Sequence, residues 1–155
     1  MAKELKARIH DLEKVKQNLQ KLCADFQGKI NSTDTYYKQP EGKVLRLTET
    51  IKGNKLISLK AQGDGFVIEK TEEVKEPNAK KKEMENKFEI NCILERTIST
   101  YSYNNEKVSI HEIKDVGNFL VLESENPKPE TVSELLNEKN PEFIKVSFDK
   151  LKKNN

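Results

Sequence analysis

Three charged residues that alternate with apolar ones near the start of the chain constrain its fold more than any other feature. Glu4, Lys6 and Arg8 stand two residues apart in the segment AKELKARI. In a β-strand such residues share one face, and the apolar residues between them form the other. Further alternating segments follow as far as Glu123. A charged face on several successive strands predicts a β-barrel with a polar interior.

Length and composition limit the size of the fold and its core. With 155 residues, we expect a single domain spanning 1–155. Charged residues make up 35% of the chain and hydrophobic residues 34%, which predicts a small core. The 28 basic and 26 acidic side chains nearly cancel, so net charge argues neither for nor against nucleic acid. The positions of the charges matter more than their sum.

Cysteine usage and hydropathy bear on the compartment. Cys23 and Cys92 form neither a CxxC pair nor a metal-spaced pattern, which argues against a disulfide framework or a zinc site and favours a reducing compartment. The N-terminus lacks the apolar region of a signal peptide, and no segment approaches the roughly 18 apolar residues of a membrane span. We expect a soluble cytoplasmic protein without a membrane partner.

Periodicity and turn signals predict one helix and seven strands after the first strand. Asp11 can cap a helix whose apolar residues recur every three or four positions as far as Phe26, with Gly28 ending it. Alternating segments bounded by turn residues predict the remaining strands at about 30–37, 43–49, 55–60, 66–75, 88–101, 107–113 and 119–125. The helix is expected to pack on the outside of the barrel.

Two further segments are less regular. Residues 77–87 are rich in helix formers and charge, and predict a short exposed helix or a loop. Its basic run, 80–82, is more typical of a solvated face than of a nucleic-acid patch. Thr131 can cap a helix that continues to Leu136, and Pro141 precedes a closing segment with the pattern of a strand or turn followed by a short helix.

Basic residues recur along the predicted strands as a distributed set. If most of them point inward, they focus a positive potential on a cavity and favour a polyanionic ligand. The alternative is a solvated exterior, which is the commoner setting for any one lysine; the spacing of the whole set favours the cavity. The set consists of Lys6, Arg8, Arg46, Lys60, Lys70, Arg96 and Lys107.

Acidic residues and histidines suggest further candidates. Glu4, Glu72 and Glu123 lie on predicted strands and can hold a divalent ion against a phosphate, although single carboxylates are more often surface charges. His111 shares strand parity with Lys107 and is a candidate for the same cavity. The chain has no nucleophile motif and no Walker loop. It also lacks the interleaved aromatic residues of a single-strand nucleic-acid platform, so no nucleic-acid partner is expected.

The order of these motifs resembles the CYTH family of triphosphate tunnel enzymes, which includes class IV adenylyl cyclases and thiamine triphosphatases. AKELKARI looks like the family's ExExK strand, and DTYY followed by Pro and Gly looks like its second strand and turn. LISLK resembles the central lysine strand, and KVSIHEIKDVGNFLVLESE the segment that ends in an acidic strand. IKVSFDKL is similar to the closing Ser-Tyr-x-x-Leu signature, with Phe148 in place of tyrosine.

The resemblance implies an α+β fold in which an eight-stranded antiparallel barrel forms a tunnel. Its basic residues would grip a triphosphate or nucleoside triphosphate, and its acids would bind Mg²⁺ or Mn²⁺ for hydrolysis or cyclisation. Arg46 fits the family's basic strand in two registers, and a slip of one residue would reverse its face. The matching positions are Glu4, Lys6, Arg46, Lys60, Lys70, Glu72, Arg96, Lys107 and Glu123.

Departures from the family pattern fall on catalytic positions. Acids are replaced by Ala2, His111, Val121 and Val74, and a lysine by Leu94. Three functions therefore remain open: a metal-dependent triphosphatase or cyclase, a tunnel-fold protein that binds an anionic or amphipathic small molecule without metal chemistry, and an inert barrel. The sequence leaves monomer and homodimer equally open.

Overall fold

The computed structural model describes residues 2–152, which form a closed barrel of eight antiparallel strands with three flanking helices. Around the barrel the strand order is β1-β5-β4-β3-β2-β6-β7-β8, and β8 pairs with β1 to close it. This confirms the predicted α+β tunnel architecture. The elements are β1 Lys3–Ile9, α1 Leu12–Lys21, β2 Asp25–Tyr37, β3 Lys43–Thr50, β4 Gly53–Gln62, β5 Gly65–Val74, α2 Pro77–Lys87, β6 Ile90–Tyr103, β7 Glu106–Ile113, β8 Gly117–Ser124, α3 Pro129–Leu136 and a 3₁₀ helix Phe148–Leu151.

One seam of the barrel is completed by the C-terminal segment. β1 pairs with β8 along its whole length but meets β5 only at Lys3 and Glu4. Beyond that point the backbone N–H of Ile144 donates to the carbonyl of Lys6 at 2.8 Å. The N–H of Arg8 donates to the carbonyl of Glu142 at 2.9 Å. The segment therefore satisfies the free edge of β1, which an open barrel would leave unpaired.

The largest apolar cluster lies outside the barrel. α1 and α3 cover the apolar faces of β1, β7 and β8, as predicted for α1. Burying this surface contributes about 25 cal/mol per Å² of apolar area removed from water. The cluster contains Leu5, Ala7, Ile9, Val15, Leu19, Val108, Ile110, Leu120, Leu122, Val132, Leu135 and Leu136.

The segment at 77–87 forms the helix α2, which covers the outer faces of β3 and β5. Its one buried residue, Met84, packs among apolar residues of both strands. Two lysines of the basic run form ion pairs with acids of the barrel wall: Lys80 Nζ lies 2.8 Å from Glu72 Oε2, and Lys81 Nζ lies 2.6 Å from Glu49 Oε1. No helix within residues 2–152 is long and apolar enough to cross a membrane.

The first helix is shorter than its apolar period predicted. It ends at Lys21, and Cys23 takes the left-handed conformation with φ 59°. The N–H of Ala24 then donates to the carbonyl of Leu19 at 3.0 Å, which closes the helix end. Phe26, expected on the helix, lies in β2 and packs against Tyr101 in a tilted arrangement with 5.3 Å between ring centroids. Its spacing fitted a helical stripe, but the turn at Cys23 redirects the chain into a strand.

Candidate functional site

The barrel interior has an apolar part and a charged part. Phe66, Phe119 and Phe148 pack together in the apolar part, and Phe148 comes from the C-terminal 3₁₀ helix rather than from a strand. Leu94 and Val121, which stand where the CYTH pattern has charged residues, belong to the same cluster. These substitutions therefore fill space in the tunnel with apolar side chains.

Lys6 projects into this interior between two aromatic rings. Its side chain is 2% exposed, and Nζ lies 4.0 Å from the ring centroid of Phe66 and 4.3 Å from that of Phe148. Burial lowers the pKa of Lys6 to about 7, although the nearby Glu4 opposes the shift. An ammonium group in this position is stabilised by the ring faces but lacks water. Lys6 is therefore a cation whose charge changes near neutral pH.

Asp34 and Arg96 form a fully buried ion pair on the neighbouring strands β2 and β6. Their side chains are 0% and 3% exposed. The Asp34 carboxylate also accepts hydrogen bonds from the hydroxyls of Thr48 at 2.7 Å and Ser32 at 3.1 Å. Buried charges are stable only when they are paired and hydrogen-bonded, so this carboxylate compensates much of the charge of Arg96.

Arg96 also contacts His111 on β7. Its terminal nitrogen lies 2.8 Å from His111 Nδ1, and both side chains are buried. Burial, followed by the charge of Arg96, lowers the pKa of His111 well below its usual value. The imidazole is therefore neutral at physiological pH. The expectation that His111 faces the interior is met.

The register of Arg46 is settled by the packing of its neighbours. Leu45 and Leu47 pack outward in the cluster that contains Met84 of α2. Because adjacent strand residues point to opposite faces, Arg46 points inward. Its side chain is buried, with 8% of the residue exposed.

Arg46 has hydroxyl contacts but no carboxylate ion pair among the described residues. Its Nε donates to Thr48 Oγ1 at 3.2 Å, and within residues 2–152 it forms no ion pair with a carboxylate. Burial acts to lower its pKa, but Tyr36, Asp34 and Glu4 together raise it. The guanidinium therefore remains charged in a buried setting, and no carboxylate within residues 2–152 forms an ion pair with it.

Two predicted metal ligands and one predicted basic residue meet on adjacent strands. Glu4 of β1 is the register partner of Glu123 of β8, and Glu123 is the register partner of Lys107 of β7. Lys107 Nζ lies 3.6 Å from Glu123 Oε2, with 57% of the lysine side chain exposed. Lys107 and Glu123 form a more solvated end of this charged group, whereas Glu4 is buried beside the interior cations.

Arg8 is engaged within the fold. Its Nε lies 2.7 Å from Glu142 Oε2, and its guanidinium stands 5.1 Å from the ring centroid of Phe119. The side chain is 28% exposed. Arg8 thus anchors the C-terminal segment to β1, and its charge already has a partner.

Three predicted site residues lie on the outside of the barrel: Lys60, Lys70 and Glu72. Lys60 follows Leu59, which packs in the interior, so the lysine points outward and is exposed. Glu72 binds Lys80 of α2, and this contact lowers the pKa of Glu72. Strict alternation would have placed Lys70 and Glu72 on the inner face with Ile68. A register shift between β4 and β5 inserts one residue after Ile68 and reverses the faces.

The predicted metal ligands Glu4, Glu72 and Glu123 are therefore not brought together. Within residues 2–152 no cluster of three or more His, Cys, Asp or Glu side chains could hold a metal ion. Glu123 already has the ammonium of Lys107 beside it. The donor set does not fit a resident Mg²⁺ or Mn²⁺ site, although magnesium can also bind through one or two carboxylates with phosphate oxygens completing its shell.

Asp34 was missed as a site residue. Its signal was present in the sequence, because Ser32, Asp34 and Tyr36 alternate along β2 and so share one face. Its partner Arg96 lies far along the chain, and nothing in local spacing connects the two. The strand pairing between β2 and β6 makes the contact.

No protein-family model matches the chain, and no curated protein matches it. Several solved structures are similar to this chain in fold. The PH1012 protein of Pyrococcus horikoshii is similar at 21% identity and a TM-score of 0.84, covering 97% of this chain and 99% of that one. A putative adenylate cyclase of Vibrio parahaemolyticus is similar at 14% identity and a TM-score of 0.65, and the match covers 88% of this chain and 82% of that one. HpAC1 of Hippeastrum, a putative adenylyl cyclase with a dominant triphosphatase activity, is similar at 14% identity and a TM-score of 0.63. The match covers 88% of this chain and 85% of HpAC1.

The chain has the triphosphate tunnel fold. Closed eight-stranded topology and likeness to putative adenylate cyclases agree on this point, and both match the resemblance to the CYTH family. At these identities the likeness concerns the fold, and function depends on the residues inside the tunnel.

Proposed function

We propose that the protein binds a phosphate-bearing anion, such as a triphosphate or nucleoside triphosphate, in its tunnel and that binding does not require a divalent metal. The observation that carries this proposal is the group of buried cations formed by Lys6, Arg46 and Arg96. Only Arg96 has a carboxylate ion-pair partner among the described residues. A bound anion would supply the missing compensation.

Buried charge supports this proposal because uncompensated cations are costly away from water. Arg46 has hydroxyl contacts but no ion pair with a carboxylate within residues 2–152, and a phosphate oxygen would accept stronger charge-assisted hydrogen bonds than a hydroxyl does. Lys6 shows this cost directly, because burial lowers its pKa to about 7. An anion placed between them would favour the charged form of Lys6 and gain charge-assisted hydrogen bonds from Arg46.

The arrangement of the acids supports binding without a resident metal. Glu72 forms an ion pair with Lys80 of α2 on the outside of the barrel, and Glu123 forms one with Lys107. Leu94 and Val121 make the same interior more apolar than the charged residues of the CYTH pattern would, which suits a ligand with an apolar part next to its anionic group. These features favour a binding protein for an anionic or amphipathic small molecule over a two-metal enzyme.

A metal-dependent triphosphatase or adenylyl cyclase is the second candidate. It is favoured by one observation, the register pairing of Glu4 with Glu123. Two carboxylates can hold Mg²⁺ or Mn²⁺ when substrate oxygens complete the shell. The described activity of HpAC1 belongs to a protein with the same fold and makes this candidate worth testing.

One set of assays separates the two candidates. The protein is incubated with ATP, tripolyphosphate and thiamine triphosphate, with Mg²⁺ or Mn²⁺, while phosphate, pyrophosphate and cyclic AMP are followed. We expect no turnover above that of Glu123→Ala, together with calorimetric binding of tripolyphosphate in EDTA. Metal-dependent turnover lost in Glu123→Ala would establish the second candidate. Absence of both turnover and binding would leave an inert barrel.

A further inference from the structure

Buried and half-buried polar side chains of four adjacent strands form one connected chain of contacts. It begins at Arg46 on β3, passes through Thr48 to Asp34 on β2, and continues through Arg96 on β6 to His111 on β7. The strand order β3-β2-β6-β7 places these residues side by side. Asp34 is the central member and is 0% exposed.

The chemistry of each group fixes the direction of the hydrogen bonds. A guanidinium only donates, so the Thr48 hydroxyl accepts from Arg46 and gives its single proton to Asp34. For the same reason His111 Nδ1 accepts from Arg96. A neutral imidazole carries one proton, which must then sit on Nε2.

We propose that Asp34 is the positioning residue of the anion site: it orients both guanidinium groups and, through Arg96, makes His111 an Nε2–H donor toward a bound anion. Asp34 itself does not touch the ligand, since a carboxylate repels an anion. Its part is to hold three donors in fixed orientations before the ligand arrives, which reduces the entropy lost on binding. The role in ligand binding rests on the proposed function, whereas the effect on the imidazole does not.

A purely stabilising ion pair would behave differently. Buried pairs often contribute little net stability compared with apolar side chains of similar size, and their loss is costly because one charge is left alone. Such a pair would affect folding when broken but would not determine which nitrogen of His111 carries the proton. The imidazole tautomer is therefore a readout specific to positioning.

The test uses ¹⁵N NMR of the imidazole ring in the full chain, comparing wild type, Asp34→Asn and Ser32→Ala. Ser32→Ala is the matched control, because it removes one hydrogen bond to Asp34 and keeps the carboxylate. We expect a single tautomer protonated on Nε2 in wild type and Ser32→Ala, and a mixture of tautomers in Asp34→Asn. A proton on Nδ1 in wild type, or an unchanged tautomer in folded Asp34→Asn, would overturn the proposal.

Affinity for tripolyphosphate provides the second readout. We expect Asp34→Asn to lose about tenfold, the size expected for misaligned charge-assisted hydrogen bonds, and Ser32→Ala to change much less. An affinity in Asp34→Asn equal to that of Ser32→Ala overturns the ligand part. If wild type binds no polyanion, the proposed function fails, but the tautomer experiment still decides whether Asp34 positions the imidazole.

A second variant covers the case in which Asp34→Asn does not fold. Thr48→Val breaks the link from Asp34 to Arg46 and leaves the pair of Asp34 with Arg96 in place. We expect it to keep the Nε2 tautomer of His111 and to bind tripolyphosphate several-fold more weakly. Wild-type affinity in Thr48→Val, or a changed tautomer, would contradict the directed chain of contacts.

Discussion

The inner and outer faces of the barrel use the same types of charged side chain in different ways. On the outer face, lysines and acids pair one to one near solvent, as Lys80 does with Glu72 and Lys43 with Glu69. On the inner face, Lys6 and Arg46 are buried without an ion-pair partner among the described residues. Surface pairs contribute little and are screened by salt, whereas unpaired buried charges are costly to the fold. The charges that do not cancel therefore lie inside the barrel, and these can attract an anionic ligand.

The largest effect should come from breaking the inner ion pair. Arg96→Ala leaves Asp34 buried and uncompensated, and we expect a loss of about 3–5 kcal/mol in the free energy of unfolding. Urea unfolding, monitored by circular dichroism, measures this loss in the free energy of unfolding. Glu72→Ala, which breaks an outer pair, is the control and should hardly change stability. Equal losses in the two variants would show that the two faces do not differ.

The aromatic side chain contributed by the C-terminal segment should be nearly as important. Phe148 is 2% exposed and packs on Phe119 with 4.9 Å between ring centroids. We expect Phe148→Ala to lower stability by about 3 kcal/mol, because it leaves a cavity. Val146→Ala in the same segment removes a side chain that is 42% exposed and should have little effect. If both variants matched wild type, the segment would not be part of the core.

A smaller effect concerns the pH dependence of stability. The pKa of Lys6 is lowered from 10.5 to about 7 in the folded chain, so between these values the unfolded chain binds more protons there. Stability from this residue therefore rises with pH from about 7 to 10.5, and the penalty of charging buried Lys6 is complete below pH 7. Lys6→Met should remove this slope. We expect the stability gap between Lys6→Met and wild type to narrow from pH 7.5 to 9.5; a constant gap in urea unfolding would contradict the buried-lysine account.

The smallest effect should come from an outer lysine. Lys60 is exposed and lies on the opposite face from the tunnel, so Lys60→Ala should leave both stability and tripolyphosphate affinity close to wild type. Calorimetry and urea unfolding check the two quantities. A marked loss of affinity would mean that the ligand binds outside the barrel.

The sequence predicted the barrel because alternation along β1 needs only local spacing. The charged face of Lys6 and the apolar face of Leu5 both follow from a period of two, and the structure places them inside and outside as expected. Such reasoning failed at β5, where one inserted residue turns Lys70 and Glu72 outward. A bulge leaves no clear trace in the alternation of polar and apolar residues, so the face of those side chains could not be derived.

The candidate site was predictable only in part, because contacts between strands do not follow from spacing along the chain. Arg96 and His111 were recognised as candidates one by one, but the contact between them depends on the pairing of β6 with β7. Asp34 was not singled out, since an isolated acid in a polar strand is usually a surface residue. Only the closed barrel shows that it is fully buried and paired.

Metal-independent anion binding in the tunnel can be measured by calorimetric titration of tripolyphosphate in EDTA into wild type, Arg46→Ala and Lys60→Ala. The wild type and both variants are first shown to be folded by circular dichroism. We expect metal-independent binding by wild type and Lys60→Ala, and an affinity at least about tenfold lower in Arg46→Ala, since a charge-assisted contact is removed. Equal affinity in Arg46→Ala and wild type, or binding only when Mg²⁺ or Mn²⁺ is added, would contradict it.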